Sequence, residues 1–378
     1  MHISYEPNTC CGCMACADVC PKGAITSCTD RRGFVFPQVN PDLCIECGAC
    51  EKACAFRREK TAESHIRAAY AFQIRDREQL RTSTSGGAFA ALSDHILAEG
   101  GVIVAAQMTE DLTVAHEVAA DAEGRDRMRM SKYVQSNTEG IFKRVRAHLE
   151  AGRRVMFVGT PCQCGQLRQL IGVENDRLLV CDILCRGVPS EAFFREHIRY
   201  LEWLYRKKAV SYSFRGKRYG WNHGIEEVRF FDGSFRDDYR VQCYARFFQS
   251  GVSLRDSCRS CVYRSHNRPS DITLADFWGL EKITGEKDRD GVSLLLANSE
   301  HGRRCIESLS EQGKLSEIPV DQVLYRVSTK PSESTIDVAD FWNTYFSEGY
   351  AGVVERYASG SVKGSVKHAV KRVLLRRN

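Results

Sequence analysis

The sequence predicts a small cysteine-rich N-terminal module followed by a larger mixed domain of the α+β or α/β kind. Three observations carry this expectation. Eighteen cysteines in 378 residues are unevenly spread, ten within the first 54 positions and eight in the remaining 324. From about Tyr70 onward, apolar strand-like runs alternate with amphipathic helical ones. The length exceeds what one hydrophobic core usually serves, while 43% hydrophobic and 27% charged residues describe a globular chain. Collagen-like and disordered classes are excluded by that composition, and no uninterrupted apolar stretch approaches the roughly 18 residues that span a bilayer. The start, Met1-His2-Ile3-Ser4, lacks a basic and then apolar leader, so the expected location is the cytoplasm. In that reducing compartment, closely spaced cysteines point to metal ligands or redox groups rather than to disulfides.

The module, residues 1–60, is built on a duplication. Cys10-x2-Cys13-x2-Cys16-x3-Cys20-Pro21 is repeated 34 positions later as Cys44-x2-Cys47-x2-Cys50-x3-Cys54. Three cysteines three apart on a tight loop direct three thiolates at one cubic cluster, and the fourth, after a longer gap, reaches the other cluster of the pair. Cys10, Cys13, Cys16 and Cys54 are therefore expected to hold one 4Fe-4S cluster, and Cys44, Cys47, Cys50 and Cys20 the second. A pair of zinc sites is the alternative that such spacing also allows. The two complete runs with Pro21 resemble the two-cluster bacterial ferredoxins, with Ala55 where the second run often has a proline. Gly12, Ala15, Gly48 and Ala49 keep the loops slim, while Cys11 and Cys28 fit no ligand slot and read as bystanders. Short strands are expected near Ile25-Thr26 and Phe34-Val35-Phe36, and residues 57–64 read as a charged linker.

In the larger domain, residues 61–330, strands are expected at 102–105, 154–158 and 178–184, and helices at 87–99, 138–151 and 191–206. Phe230-Phe231-Asp232-Gly233-Ser234-Phe235 signals a hairpin. Neither GxGxxG nor GxxxxGK[ST] occurs, which leaves a dinucleotide fingerprint and a P-loop unsupported. Two polar constellations are candidate ligand sites. Ser83-Thr84-Ser85-Gly86-Gly87 precedes an apolar-periodic helix, where free amides, hydroxyls and the positive end of the helix dipole suit a phosphate; an ordinary helix cap explains the same residues. Residues 214–222 interleave Arg215, Lys217 and Arg218 with Phe214, Tyr219 and Trp221, a pattern for clamping a pyrophosphate or an acidic ring, or else a solvated loop. One such loop on an otherwise neutral body gives no support to nucleic-acid binding.

A second cysteine set lies in this domain. Cys162, in Gly159-Thr160-Pro161-Cys162-Gln163-Cys164, and Cys185 each follow an expected strand. If those strands are parallel, both thiols lie at the carboxyl edge where α/β sheets place their ligands. Cys258-x2-Cys261 adds a pair from a polar loop, so a third cluster, a zinc knuckle with His266, and plain buried thiols all remain open on spacing. Cys164 and Cys181 look less like ligands, and Cys243 and Cys305 have no sequence partner.

Residues 331–378 form a C-terminal segment. Phe341-Trp342-Asn343-Thr344-Tyr345-Phe346 reads as an aromatic helix, either core or a wall of a ligand pocket. From Ser361 the tail carries Lys363, Lys367, Lys371, Arg372, Arg376 and Arg377 with no acidic residue, which accounts for the net charge of +6. Its apolar residues fall at helical spacing, so the expectation is a basic helix with peripheral membrane contact or a solvated, fraying end.

Taken together, the double cysteine run, Ser85-Gly86-Gly87, Gly159-Thr160-Pro161-Cys162-Gln163, Cys185-Arg186-Gly187-Val188-Pro189-Ser190, Ser213-Phe214-Arg215 with Tyr219-Gly220-Trp221, and Cys258-x2-Cys261 leading to residues 270–279 resemble the coenzyme F-420 hydrogenase/dehydrogenase beta subunit family. The likeness spans roughly residues 1–330. It implies an FAD-containing iron–sulfur flavoprotein with an α/β core, a third 4Fe-4S cluster on Cys162, Cys185, Cys258 and Cys261, and a flavin site that includes the Ser85-Gly86-Gly87 turn. It further implies an oxidoreductase that passes electrons between an external carrier, ferredoxin or a deazaflavin-type coenzyme, and an organic substrate. The alternative is a non-catalytic electron-transfer subunit of a hydrogenase or dehydrogenase complex. Arg186 stands where many relatives have histidine, which puts that histidine's proton-transfer role in doubt here; no catalytic residue is assigned.

Overall fold

The computed structural model describes residues 5–57, 66–172, 175–285, 288–327 and 333–358. The basic tail from Ser361, and the linker beyond Arg57, lie outside the described residues. At the N-terminus, β1 (Ile25–Thr29) pairs antiparallel with β2 (Val35–Val39), with Ile25 opposite Val39. The one-turn helices Ala15–Asp18 and Ala49–Ala53 follow the two cysteine loops, and Met14, Ile25 and Cys50 form a small core between them. So few apolar side chains are a thin core for an independent unit, which makes bound metal and docking the natural sources of its stability.

The main body is one mixed sheet of eight strands. Its strands in chain order are β3 (Ala68–Ile74), β4 (Val102–Met108), β5 (Val114–Ala119), β6 (Val155–Gly159), β7 (Leu178–Ile183), and, after an insertion, the later strands given below. The insertion supplies β8 (Ala209–Gly216), β9 (Ile225–Phe230) and β10 (Phe235–Arg236); the sheet resumes with β11 (Ile272–Asp276), β12 (Ser293–Ala297) and β13 (Gly313–Ile318). The spatial order is β13-β3-β12-β11-β7-β6-β4-β5. Strands β4, β6, β7 and β11 are parallel, and antiparallel strands extend the sheet on both sides.

The alternation of the apolar runs assigns each strand residue to a face. Val102, Val104, Val155, Phe157, Leu178 and Val180 pack with helices Ile141–Glu150 and Pro161–Ile171. Ile103, Met156, Leu179 and Cys181 face the other way, toward helix Ala88–Ala98. Because both faces are covered, these strands read as continuous apolar runs. The expected strands and helices in this region are present with ends shifted by a few residues.

The three-stranded sheet β10-β9-β8 holds a separate aromatic core with helices Glu191–Tyr205, Cys243–Ser250 and Val338–Val353. The expected hairpin turns at Asp232-Gly233, where Gly233 has φ +78°. Phe341 and Trp342 are buried there against Phe193, so the aromatic run is core and lines no part of the cavity described below. Among the described residues no helix is long and apolar enough to cross a membrane.

Candidate functional site

The duplicated cysteine loops share one backbone. Gly12 and Met14 in the first, and Glu46 and Gly48 in the second, all have positive φ, between 51° and 69°. Each pair lies 34 residues from its counterpart. Left-handed residues alternating along a loop curl successive amide N–H groups inward, which makes a concave seat for negative charge. The Gly12 amide donates to the Cys10 sulfur at 3.4 Å and the Ala24 amide to the Cys20 sulfur at 3.3 Å. Cys20 from the first run joins Cys44, Cys47 and Cys50 around one small cavity. Cys54 from the second run reaches the other group: burial, then the Cys10 thiol and, more weakly, Cys54, push the Cys16 thiol up to about 12. The fourth cysteine of each run thus meets the first three of the other.

The first loop is fastened to the main body. Arg255, only 1% exposed, donates Nε–H to the Cys10 carbonyl at 2.8 Å and a second N–H to the Val35 carbonyl at 2.8 Å. Gln135 donates to the Cys11 carbonyl at 3.1 Å, and Thr138 to the Cys13 carbonyl at 3.0 Å. Asp18 accepts the amides of Gly140 and Phe142, at 2.9 and 3.2 Å, at the start of helix Ile141–Glu150. None of these partners is signalled by local sequence.

At the sheet's carboxyl edge, β6 and β7 are parallel, with Val158 opposite Cys181 and Gly159 opposite Asp182. Cys162 opens the helix after β6, and Cys185 follows β7 by two residues. The second cysteine set converges here. Burial pushes the Cys185 thiol well above its ordinary value, reinforced by the Cys258, Cys162 and Cys261 thiols beside it. Burial likewise raises Cys258 to about 12, with Cys162 the next cause. His266, the further ligand a zinc knuckle would draw on, is exposed.

Cys11, which fits no ligand slot, lies beside both Cys13 and Cys162, and the neighbouring thiols together with burial hold its own well above the ordinary value. Cys164 donates its thiol to the Cys181 carbonyl, and both are fully buried, as packing thiols are.

A cavity of about 630 Å³ opens beside these thiols, at the carboxyl ends of β4, β6, β7 and β11. Its wall includes Cys11, Cys13, Cys162 and Cys185, and also Ser83, Thr84, Ser85, Gly87, Ala88 and Phe89. Helix Ala88–Ala98 begins in that wall behind Gly87, which has φ +85° and gives no side-chain cap. The positive helix end is therefore not answered by its own residues. The serines act differently from the expectation. Ser83 Oγ donates to the Gln79 carbonyl and Ser85 Oγ to the Val292 carbonyl, so both hydroxyls brace the loop. Gly86 is absent from the wall; a Cβ there would meet the Phe72 carbonyl oxygen at 2.1 Å, so this glycine lets the loop lie against the sheet.

The cations of residues 214–222 also depart from the expectation of a ligand clamp. Arg215 pairs with Asp276, and Arg218 with Glu227 at 3.0 Å. Lys217 donates to the carbonyls of Leu80, Ser85 and Asp290, at 2.9, 2.7 and 2.6 Å. All three lie outside the cavity wall and hold its loops in place. Trp221 is buried and stacks at 4.4 Å on Trp278, which does line the cavity.

Two groups that sequence reasoning missed line the cavity. Lys132 lines the cavity, its Nζ donating to the Met128 and Arg129 carbonyls at 2.7 and 2.6 Å, and burial lowers it to about 7. Ser131, its neighbour, ties this segment to Thr84 by an amide hydrogen bond of 2.9 Å. His116 also lines the cavity and is 4% exposed. Its Nε2 meets the Val158 carbonyl at 3.0 Å, which fixes the proton there, and its buried Nδ1 has no partner. Burial lowers this imidazole to about 4, so at neutral pH Nδ1 is a bare acceptor.

With this geometry in place, comparison with known proteins becomes informative. Residues 3–26 and 36–58 each match a 4Fe-4S binding domain. Residues 152–323 match the C terminus of the coenzyme F420 hydrogenase/dehydrogenase beta subunit. Residues 152–323 belong to that family. The beta-subunit region thus contains Cys162, Cys185, Cys258 and Cys261, and it stands behind two 4Fe-4S domains that contain the first eight ligand candidates. The family is one of oxidoreductase subunits, as the resemblance implied. A chain of the xenon-derivatised F420-reducing NiFe hydrogenase complex from Methanosarcina barkeri is similar at 15% identity and a TM-score of 0.45, over 71% of this chain and 90% of that one. No curated protein matches.

Proposed function

We propose that this chain is an iron–sulfur flavoprotein oxidoreductase, in which the two ferredoxin clusters and a third cluster on Cys162, Cys185, Cys258 and Cys261 exchange electrons with FAD in the 630 Å³ cavity. One observation carries the reading: a single cavity is walled at once by Cys13 of the first run, by Cys162 and Cys185 of the second set, and by the uncapped start of helix Ala88–Ala98. The cavity volume falls in the range of cofactor sites, about 300–1,000 Å³. Its donors also suit a flavin dinucleotide. The free helix start and the Lys132 ammonium attract a pyrophosphate, Trp278 and Tyr133 offer ring faces, and His116 Nδ1 accepts from a ring N–H. A bound flavin supplies the conversion between single electrons and a hydride.

The protein's own part is positional. Lys217 anchors the loop of residues 80–85 on which the helix start depends, and the Arg215–Asp276 pair sets Trp278 against Trp221. Residues 1–60, 61–330 and 331–378 are in this reading the ferredoxin domain, the cluster and flavin domain, and a C-terminal segment. An external one-electron carrier and an organic substrate or deazaflavin complete the reaction.

The decisive experiment measures iron, acid-labile sulfide and flavin per chain after anaerobic purification. About twelve irons with one FAD is the expected result; about eight irons with no flavin after reconstitution would overturn it. In that event the relay-subunit reading stands instead, which the exposure of Cys47, Leu43 and Ile45 around the second run favours.

A further inference from the structure

Arg255 is the largest fully buried side chain among the described residues, and its charge has no carboxylate partner within 4.0 Å among them. Its neighbour Asp256 is taken by Arg32, at 2.9 and 2.5 Å. Its three hydrogen-bond acceptors among the described residues are neutral: the Cys10 and Val35 carbonyls and, at 3.1 Å, the Gln135 side chain. The rings of Phe36 and Phe34 lie 4.2 and 5.5 Å from the guanidinium carbon. A cation buried this way is costly unless an anion answers it.

The groups facing it are cysteines. The guanidinium charge acts on the Cys10 thiol and also on Cys258, whose amide donates to the Arg255 carbonyl at 3.0 Å. We propose that Arg255 is the fixed counter-charge of the 4Fe-4S cluster ligated through Cys10, and that it raises the reduction potential of that cluster above its value without the cation. A cluster held by four thiolates is anionic and gains a further negative charge on reduction, so a buried cation stabilises the reduced form more. Net charge and hydrogen bonds to sulfur are two of the levers a protein has on such a potential. In the small cavity wall of the second run the cation is Lys22, which is exposed to solvent like Cys47, rather than a buried guanidinium. Arg255 is thus a positioning residue that biases the electron toward the docked end of the module. The inference rests on the ligand role of Cys10 but needs neither the third cluster nor FAD.

The test is a spectroscopically monitored redox titration of the full chain, purified anaerobically with its iron. Arg255→Gln should lower the potential of one ferredoxin cluster by at least a tenfold change in its oxidised-to-reduced ratio, about 59 mV for a one-electron couple, and leave the other in place. Arg255→Lys, which keeps the charge, should recover most of the shift. No shift in Arg255→Gln, an equal shift in both clusters, or equal shifts in the Lys and Gln variants would overturn the proposal. Should Arg255→Gln lose iron, Gln135→Glu sets a carboxylate against the same guanidinium and should lower the same potential; an unchanged potential there would also overturn it. If Cys10→Ser retains all iron, the ligand assignment fails rather than the role of Arg255.

Discussion

The loops at Cys10–Cys16 and Cys44–Cys50 have the same ligand spacing, the same left-handed positions and a one-turn helix behind each, yet they meet different surroundings. The first is bound to the main body by Arg255, Gln135, Thr138 and Asp18, and its Ala15 packs in the core beneath β4 and β6. In the second, Cys47 is exposed, with Leu43 and Ile45 half exposed around it. A duplication equips both halves to hold a cluster; docking buries the first loop, whereas the second is tied to the body behind its loop, where Gln166 and Gln169 bond the backbone of Lys52, Ala53 and Ala55, and the loop itself faces solvent. In the proposed function an electron carrier in solution would meet the second loop, and the cavity at the sheet edge would be reached from the first.

The comparison is broken most severely by removing one ligand from each loop. Cys16→Ser and Cys47→Ser should each lose about four irons. Only Cys47→Ser should block reduction by a protein carrier while small-molecule dithionite still reduces the remaining clusters. Equal sensitivity of the two reductants in both variants would abolish the distinction between an inner and an outer cluster.

A smaller effect is expected from positions related by the repeat. Asp18 caps helix Ile141–Glu150, and Asp18→Ala strands two buried amides, which should cost about 1–3 kcal/mol. Lys52, 34 residues on, is exposed, and Lys52→Ala should stay within about 0.5 kcal/mol. Urea unfolding of the anaerobic protein measures both, and comparable losses would show that the two loops are docked alike. A smaller loss than that of Asp18→Ala is expected of Thr138→Val, which removes the donor to the Cys13 carbonyl and should cost about 0.5–1.5 kcal/mol with iron content unchanged. A loss of iron would make Thr138 part of the ligand loop's support rather than an accessory to docking.

Much of the cluster chemistry was legible because it is local. Ligands three residues apart and a 34-residue repeat define their loops without help from the rest of the chain, and the exchange of Cys20 and Cys54 follows from loop reach. The placement of Cys162 and Cys185 at one sheet edge followed from the sequence only on the condition that their strands run parallel, and the pairing of β6 with β7 met it. The partners of residues 214–218, Asp276 and Glu227 for the arginines and the carbonyls of Leu80, Ser85 and Asp290 for Lys217, were not legible because they lie on other elements.

The sequence by itself determined the two cluster loops, the alternation that buries both faces of β4, β6 and β7, and the cysteines that converge at their ends. Only the tertiary structure decided that Cys11 lies beside both Cys13 and Cys162, that Lys132 and His116 rather than Arg215 face the cavity, and that Arg255 stands against Cys10. The physical reason is range. Backbone periodicity and loop geometry act within a few residues, whereas charge and hydrogen bonding are settled by whichever groups packing brings within about 3 Å.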